Sequence, residues 1–330
     1  MKKRYTASAE KDNLHTVAFY NVENLFDTID DPKTLDNDFL PESERKWSVK
    51  RYKKKIFKLG TTLSNIGYKD TDKSPVIIGL AEVENLKVVE DLVASKHLVN
   101  KDYGIVHYDS PDERGIDVAL LYRKSQFELI GKKSVPLLVD SQKGDRDYTR
   151  DILHVSGKMN GETIHVLVNH WPSRRDGAEL TEYKRIAAAE KNREIVDKVR
   201  SEEGEDTKFI IMGDFNDDPS SNSVSNSLVK ADFYNPMRKL LTKRTGTTSY
   251  RGQWNLFDQI IFSSNFHKYE KGTHAFAYSK IFSDDFLKVY RGRYKGNPFR
   301  TYVGRKYQGG YSDHFPVYMV LKLNKRIRSN

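Results

Sequence analysis

Apolar runs that end abruptly in polar residues are the main feature of this chain. Residues 209–212 form one such run, which is typical of a strand buried on both faces. Gly213 follows, where the backbone must bend or lie close to another group. If the chain stays extended, Asp214 and Asn216 lie on one side and place a carboxylate beside an amide. Because the same residues dominate ordinary turns, this segment alone fits a functional site and a simple turn equally well.

Other predicted strands repeat this pattern. Glu82 directly follows the apolar run at 75–81, where an ionisable group costs free energy unless it is paired or bound to a cation, so it is a candidate ligand. Its structural alternative is a place at the start of a helix predicted at 86–94. Asp258 lies within the run at 254–263 and therefore needs a partner, for which a histidine is attractive. Further polar residues near predicted strand ends are Asn21, Asp117, His170, Asp313 and His314.

His170 ends the predicted strand at 163–169 and is followed closely by Arg174 and Arg175. This grouping suits the binding of a phosphate. On position alone, His170 fits equally well as a hydrogen-bonded histidine without a catalytic role, and a lone Asn21 fits as a turn former.

The remaining pattern predicts helices between the strands. Apolar residues recur at helical spacing over 48–66 and 180–199, and the Lys/Arg face of the first helix is interpreted as solvated. Asn-Gly at 160–161 predicts a hairpin between strands at 152–158 and 163–169. No long or low-complexity linker separates these elements. The order predicts one large α/β unit.

Composition adds a preference for polyanions. The 330 residues contain 56 Lys+Arg against 46 Asp+Glu, which gives a net charge of +10 and favours nucleic acid, phosphorylated small molecules or anionic membrane surfaces as partners. Aromatic and basic residues are concentrated at 275–310, a mixture that suits phosphate contact with ring stacking as well as plain basic surface. Zero cysteines exclude disulfides, thiolate zinc sites and cysteine nucleophiles, so any metal is held by oxygen or imidazole ligands.

The chain has no apolar run of about 18 residues, so no transmembrane helix or stable membrane insertion is expected. Residues 1–4 resemble the basic start of a signal peptide, but the residues that follow are polar. The pattern fits a cytoplasmic protein and an exported one whose signal has been removed.

Taken together in chain order, these strand-end motifs resemble the endonuclease/exonuclease/phosphatase superfamily, which includes pancreatic-type DNases, abasic-site endonucleases, neutral sphingomyelinases and inositol-polyphosphate phosphatases. The resemblance implies a four-layer α/β sandwich, in which two packed mixed β-sheets are flanked by helices and loops from both sheets meet at the active site. It implies a single domain over 14–323 with a basic aromatic insertion near 275–310, a disordered or processed segment at 1–13 and a basic tail at 324–330. The segments that carry it are 20–25, 80–82, 169–170, 213–216, 257–260 and 312–317.

Carried over position by position, the resemblance implies that Glu82 is the main ligand of Mg²⁺ or Mn²⁺, assisted by Asn21 and Asp313. Oxygen ligands suit such hard ions. It also implies that Asp214 orients or deprotonates the attacking water and that Asn216 hydrogen-bonds a phosphate oxygen.

The resemblance assigns His314 as a histidine oriented by Asp258 and His170 as the second histidine of the phosphate site. Asp117 is expected to orient His170 and, with Arg174 and Arg175, to contribute to substrate binding. The chain departs from the family pattern at residue 81, where it has alanine and many members have glutamine.

The activity implied is phosphodiester hydrolysis by in-line attack of water, and the charge of +10 favours an endo- or exonuclease. A lipid- or inositol-phosphate hydrolase uses the same core and remains an alternative. A catalytically inactive polyanion-binding module is a third interpretation, which the complete set of motif residues disfavours. The expected partner is a phosphate-ester substrate, with nucleic acid first, and a monomer is the default.

Overall fold

The computed structural model describes residues 11–325. The predicted segment at 1–13 and tail at 324–330 therefore lie outside the described residues, apart from 11–13 and 324–325. The strands in chain order are β1 (Leu14–Leu25), β2 (Ile77–Val83), β3 (Tyr103–His107), β4 (Asp117–Arg123), β5 (Phe127–Val135), β6 (Val139–Asp140), β7 (Arg146–Asp147), β8 (Ile152–Met159), β9 (Glu162–His170), β10 (Lys208–Asp214), β11 (Phe233–Tyr234), β12 (Thr248–Tyr250), β13 (Gln253–Asn255), β14 (Asp258–Ser263), β15 (His274–Ile281), β16 (Tyr302–Val303), β17 (Lys306–Tyr307) and β18 (Val317–Leu323).

Four α-helices accompany these strands: α1 (Val49–Asn65), α2 (Tyr68–Thr71), α3 (Leu86–Val93) and α4 (Glu182–Glu203). Within residues 11–325, none of them combines the length and apolar character needed to cross a bilayer. Short 3₁₀-helices lie at Asn37–Phe39, Val99–Lys101, Pro236–Lys239, Ser264–His267 and Asp285–Leu287, and a π-helical turn lies at Ser223–Leu228.

Two six-stranded mixed sheets form the centre of the molecule. Their strand orders are β15-β18-β1-β2-β4-β3 and β11-β14-β10-β9-β8-β5. In each sheet the two middle strands are parallel, β1 with β2 and β10 with β9, and all other pairs are antiparallel. The carboxyl ends of a parallel pair reach the same edge, where the neighbouring antiparallel strands begin. Polar residues at those ends are therefore brought together.

Apolar side chains on both faces of each sheet produce four layers, as the family resemblance implied. One core lies between the two sheets and includes Phe19, Val166 and Met212. A second covers the outer face of the first sheet with α1 and α3, and a third covers the outer face of the second sheet with α4. The apolar residues predicted for the first helix are buried, which fixes how α1 packs: Tyr52, Ile56, Leu59, Leu63 and Ile66.

The predicted hairpin is confirmed. Met159 and Glu162 face each other across the turn between β8 and β9, and both central residues have positive φ, 51° at Asn160 and 86° at Gly161. Asn-Gly is the sequence that tolerates this backbone best.

The first residues of the insertion predicted at 275–310 belong to strand β15 of the first sheet, which corrects the boundary of the insertion. β15 pairs along β18, from His274 opposite Leu323 to Ile281 opposite Val317, and forms the edge of the first sheet. Its aromatic and basic composition resembled that of the residues that follow, so the strand was not recognised. Residues 282–316 therefore lie outside the two main sheets, and the part at 282–311 is called the 282–311 segment below. β5, on the edge of the second sheet, was also missed.

Gly213 is the last residue but one of the central strand β10, at a position where there is no room for a side chain. A Cβ at this position would clash with the backbone carbonyl oxygen of Asn169 on the neighbouring strand β9. The prediction of a close backbone approach at this residue is confirmed.

We predict that Gly213→Ala lowers the free energy of unfolding by about 1–3 kcal/mol, because the methyl group forces two paired backbones apart. Denaturant unfolding monitored by circular dichroism measures the change. Gly131→Ala is the matched control, since its methyl group would meet only the hydroxyl oxygen of Ser156, at 2.8 Å, and this side chain can rotate away. Equal stability of the two variants would contradict the prediction.

Candidate active site

Polar side chains from both sheets meet at one end of the sandwich. Parallel strands supply residues at their carboxyl ends, and the antiparallel neighbours β14 and β18 supply residues where they begin. The cluster consists of Asn21 of β1, Glu82 of β2, His170 of β9, Asp214 of β10, Asp258 of β14, and Asp313 and His314 before β18.

Asp214 lies at the centre of this cluster. Its Oδ2 accepts a hydrogen bond from Nδ2 of Asn21 at 2.9 Å and lies 3.8 Å from Nε2 of His170 and 4.0 Å from Nε2 of His314. Its Oδ1 accepts a hydrogen bond from the backbone N–H of Asn216 at 2.9 Å. One oxygen is thus held by the backbone, while the other faces two imidazoles.

Burial raises the pKa of Asp214 to about 6. His314 acts in the opposite direction, and the carboxylate of Asp258 adds to the increase. A carboxylate with such a pKa is ionised at neutral pH yet is a stronger base than an exposed aspartate.

Glu82 faces the same space from the first sheet. Its Oε1 accepts a hydrogen bond from Nδ2 of Asn21 at 3.2 Å, and its Oε2 accepts one from the backbone N–H of Asn24 at 2.8 Å. Oε1 also lies 4.0 Å from Nε2 of His170. The residue has φ of 65°, and the pairing of β2 with β4 is irregular at this point. A left-handed conformation in a glutamate is uncommon, and such conformations are concentrated at functional sites.

His314 has the partner that the sequence predicted. Its Nδ1 lies 2.6 Å from Oδ2 of the fully buried Asp258. Burial disfavours the charged imidazole, but the charge of Asp258 and the hydrogen bond to it hold the pKa of His314 well above its usual value. Ser312 holds the loop that carries His314 in place. Its hydroxyl accepts a hydrogen bond from the backbone N–H of His314 at 3.0 Å and donates one to the carbonyl oxygen of Asn21 at 2.7 Å.

His170, in contrast to His314, is a neutral imidazole. Burial, followed by the positive charges of Arg150 and Arg114, holds its pKa well below the usual value. Among residues 11–325, its Nδ1 has no hydrogen-bond partner. Because Nε2 faces the carboxylates of Glu82 and Asp214, the neutral tautomer with the proton on Nε2 is favoured.

The expectation that Asp117 orients His170 is wrong. Asp117 is buried in the first sheet, where its Oδ1 accepts the backbone N–H of Ser110 at 3.1 Å and its Oδ2 lies 3.9 Å from Nε2 of His107. His170 belongs to the other sheet. A buried carboxylate so engaged also has no direct access to a substrate, which corrects the assignment of Asp117 to substrate binding.

The two arginines after β9 differ in their surroundings. Arg174 donates to the carbonyl of Asn216 at 2.7 Å and to Oδ1 of Asp217 at 3.0 and 2.6 Å, and its guanidinium lies 4.8 Å from the centre of the Phe257 ring. Arg175 is exposed. Arg174 therefore stabilises the loop that follows Asp214, whereas Arg175 lies at the surface.

Asn216 lies two residues after Asp214 and has a φ of 49°. Its side-chain Nδ2 donates to the carbonyl of Trp171 at 2.9 Å, so the amide is tied to the end of β9. Its orientation is therefore fixed before any ligand binds.

Asp313 belongs to an ionic network that the sequence did not reveal. Its Oδ2 accepts from Nη2 of Arg300 at 2.6 Å, and Arg300 also lies 3.7 Å from the buried Glu23. Glu23 in turn lies 3.8 Å from Nζ of Lys55 and accepts the backbone N–H of Thr301 at 2.6 Å. Burial and the nearby Asp313 raise the pKa of Glu23 to about 7. This network attaches the 282–311 segment to the site.

Lys55 corrects the interpretation of the charged face of α1 as fully solvated. The residue is 2% exposed, and its Nζ donates to Thr301 Oγ1 and to the Tyr311 carbonyl, both at 2.6 Å. It lies three residues after Tyr52 and four before Leu59, on the apolar stripe of the helix. The spacing of three and four residues from these apolar positions was the sequence signal that Lys55 lies on the buried face of the helix.

The charges around Glu82 and Asp214 fit a divalent cation. Within the part of the chain that the structure describes, neither carboxylate forms a salt bridge with lysine or arginine, and their only ionic neighbours are His170 and His314. Carboxylate and amide oxygens suit a hard ion. Asp214, Asp258 and His314 also offer ligand atoms within 4.8 Å of one another, but the bond between Asp258 and His314 already engages two of these groups.

Comparison with protein-family models found a match over nearly the whole chain. A model of the endonuclease/exonuclease/phosphatase family matches residues 16–323. A search of curated proteins found no match.

Three solved structures illustrate the similarity of fold. Humanized D. rerio TDP2 with 14 mutations has 16% identity and a TM-score of 0.57, with 94% of this chain and 99% of that chain covered. D. rerio TDP2 complexed with single strand DNA product has 16% identity and a TM-score of 0.53, with 94% and 100% covered. The Bacteroides thetaiotaomicron mannosyl-6-phosphatase Bt3783 has 17% identity and a TM-score of 0.53, with 93% and 99% covered. At these identities the likeness concerns the fold.

We predict that Asp258→Asn lowers the pKa of His314, because the imidazolium loses its charged partner. An NMR titration of the histidine ring protons, with His314 assigned by its own substitution, measures the change. Glu203→Gln is the matched control, since Glu203 lies 3.0 Å from the ring of His165 at a different site. An unchanged pKa of His314 in Asp258→Asn would overturn this explanation of its charge.

Proposed function

Because the chain belongs to the endonuclease/exonuclease/phosphatase family, we propose that it is a divalent-metal-dependent phosphodiesterase whose substrate is nucleic acid. Membership in the family supports hydrolysis of a phosphate ester. One observation carries the finer proposal: Oδ2 of Asp214 is faced at 2.9 to 4.0 Å by Asn21, His170 and His314. A base and two imidazoles are thus directed at one space.

In the proposed reaction Asp214 acts as the base. Its Oδ2, which has a further lone pair besides the one that accepts the hydrogen bond from Asn21, accepts a proton from the attacking water as the water oxygen forms a bond to phosphorus and the bond to the leaving oxygen breaks in line. The pKa of about 6 suits this task, because the group is ionised near neutral pH and still binds a proton appreciably. The hydrogen bond from the Asn216 backbone engages only Oδ1, and Asn21 occupies one of the two lone pairs of Oδ2.

The two histidines contribute in different charge states. His314 is held as an imidazolium by Asp258, and its Nε2–H is free to donate to a phosphoryl oxygen that becomes more negative in the transition state. His170 is neutral and donates from Nε2 without adding positive charge. Their rings are fixed before substrate binds, which reduces the reorganisation required during reaction.

Glu82 and Asn21 are the residues that we propose hold Mg²⁺ or Mn²⁺. Asp313 is a further ligand in this proposal, although it shares its carboxylate with Arg300. The bound ion supplies Lewis-acid stabilisation of the phosphoryl and leaving oxygens. Residue 81 is alanine, so no glutamine side chain contributes to the site from that position.

The 282–311 segment supports nucleic acid as the substrate class. Tyr290 and Tyr294 are 71% and 55% exposed, and guanidinium groups of Arg291 and Arg293 lie 5.0 and 5.7 Å from the centres of their rings. Exposed rings beside cations bind bases by stacking and phosphates by charge. The D. rerio neighbour solved with a single strand DNA product is consistent with this choice.

A sugar phosphate or another small phosphate ester is the second candidate. The Bacteroides thetaiotaomicron neighbour is a mannosyl-6-phosphatase, and its TM-score equals that of the DNA complex. Lipid and inositol phosphates belong to the same group of alternatives. An inactive polyanion-binding module is disfavoured because it has no need of a buried base with an elevated pKa.

We predict that the protein hydrolyses bis-p-nitrophenyl phosphate with Mg²⁺ or Mn²⁺ and that Asp214→Ala and His314→Ala each lower kcat by about 10²- to 10⁴-fold, since each removes a group that acts in the transition state. Release of p-nitrophenol measures the rate. Asp145→Ala, a change at an exposed aspartate, is the control. Undiminished turnover in either variant would contradict the role given to that residue.

We further predict that replacing both Tyr290 and Tyr294 by alanine lowers kcat/KM on single-stranded DNA by about tenfold or more, because base stacking is lost. Hydrolysis of bis-p-nitrophenyl phosphate, which needs no such stacking, should be unchanged. Tyr269→Ala is the matched control, since Tyr269 is 76% exposed and lies outside the segment.

The wild-type protein should also be compared on plasmid DNA, abasic oligonucleotide, RNA, sphingomyelin, inositol phosphates and a sugar 6-phosphate. Turnover of one of the last three substrates, with none of nucleic acid, would overturn the substrate class and leave the assignment of the catalytic residues intact.

A further inference from the structure

Three side chains at the start and end of the loop between β3 and β4 form a second group with metal-binding character. His107 ends β3, Asp109 follows it, and Asp117 begins β4. Each offers a ligand atom, and these atoms all lie within 4.8 Å of one another. We propose that His107, Asp109 and Asp117 bind a first-row divalent ion of the Zn²⁺ type. This proposal is independent of the proposed function.

His107 is the first reason for this proposal. Its side chain is 2% exposed, and its Nε2 has no hydrogen-bond partner within residues 11–325. A buried ring nitrogen without a partner costs free energy, and a bound ion would satisfy it. Nε2 points toward Oδ2 of Asp117 at 3.9 Å, which is too far for a hydrogen bond.

Asp117 is the second reason. Its side chain is 4% exposed, and in the described part of the chain its carboxylate has no salt bridge to lysine or arginine. Ser110 satisfies Oδ1 through its backbone N–H, whereas Oδ2 faces His107. A buried carboxylate without a cation is costly. An ion between Oδ2 and the imidazole would satisfy both groups.

Asp109 completes the set from the solvent side. Its Oδ1 lies 3.8 Å from Nδ1 of His107, and its side chain is 83% exposed and free to turn. Ligands of a tetrahedral zinc ion with bonds of about 2.0–2.2 Å lie about 3.3–3.6 Å apart. Asp109 and Asp117 face different nitrogens of the His107 ring, so an ion on Nε2 requires the exposed Asp109 side chain to turn toward that side. The three ligand atoms already lie within 4.8 Å of one another, so a closure of about 1 Å would bring them to zinc-ligand spacing. The exposed side leaves an entry path for the ion.

The ligand types point to the class of ion. One imidazole with two carboxylates suits Zn²⁺, whereas Mg²⁺ prefers an all-oxygen shell that includes several waters. The group is thus chemically distinct from the oxygen ligands around Glu82. We expect Zn²⁺ to bind here in the presence of excess Mg²⁺.

An ion at this position would close the loop at 108–116 and thereby support the candidate active site. Arg114 of this loop donates to Oδ1 of Asn24 at 2.6 Å, and the backbone of Asn24 donates to Glu82. Asp112 of the same loop accepts from Arg150 at 2.8 Å, and Arg150 donates to the carbonyl of Trp171 at 2.9 Å. The loop therefore reaches both sheets at the catalytic end.

The test uses the full chain in metal-free form with Glu82→Gln, so that the candidate active site does not contribute strong Zn²⁺ binding. Titration calorimetry with Zn²⁺ in excess Mg²⁺ should show one site per chain. Adding Asp109→Asn should raise Kd by about tenfold or more, because an anionic ligand is lost, and it should not unfold the protein because the side chain is exposed.

Glu113→Gln is the matched control, since it removes one exposed negative charge from the same loop and should leave Kd unchanged. His107→Gln is a second variant, checked for folding by circular dichroism, and it should also weaken Zn²⁺ binding. Absence of a Zn²⁺ site, or a Kd unaffected by both Asp109→Asn and His107→Gln, would overturn the proposal whatever the activity of the enzyme.

Discussion

The amide of Asn21 is the contact on which the candidate active site depends. Its Nδ2 donates to Glu82 in its own sheet and to Asp214 in the other sheet. The buried carboxylate of Asp214 and the partly buried one of Glu82 would otherwise repel each other across the gap between the sheets, and the shared donor lowers that cost. Its own Oδ1 is held by the backbone N–H of Glu23 at 2.9 Å, so the amide cannot turn freely. The distance between the two sheets at this end is fixed by this bridge.

This bridge is effective because the parallel strand pairs end at the same place. β1 and β2 in one sheet, and β9 and β10 in the other, direct their carboxyl ends at one space. The antiparallel neighbours return to it with Asp258 and His314. Of the two histidines in this space, His314 is charged because it has a carboxylate partner, and His170 is neutral because it is buried near arginines. The same residue type thus takes two different protonation states within one site.

The 282–311 segment is attached to this site by buried charges. Lys55 and Glu23 are both buried, and they reach the segment through Thr301 and Tyr311. Buried ionic networks of this kind favour one arrangement over others, because removal of one member leaves an uncompensated charge. Arg300 is consequently placed beside Asp313 at the edge of the cluster. The segment is positioned by the core, although its exposed tyrosines are free to contact a ligand.

Much of the site followed from local sequence. Apolar runs interrupted by charge identified Glu82, Asp214 and Asp258, because an ionisable group beside a buried strand requires a partner or a cation. The wrong assignment of Asp117 has an equally physical origin. Its neighbours are set by the pairing of β4 with β2 and β3, which places it beside His107 in the sheet opposite to His170. Strand pairing is a long-range property, and no local pattern encodes it.

The sequence by itself determined the alternation of strands and helices, the family and the residues that carry charge at strand ends, since these depend on short-range patterns of polarity. Only the tertiary structure decided which charges meet. It joined Glu82 to Asp214 through Asn21, and it buried Lys55 against Glu23 and Thr301. It also separated the group of His107 and Asp117 from the catalytic cluster. The reason is that a partner's distance and burial arise from packing between residues far apart in the chain.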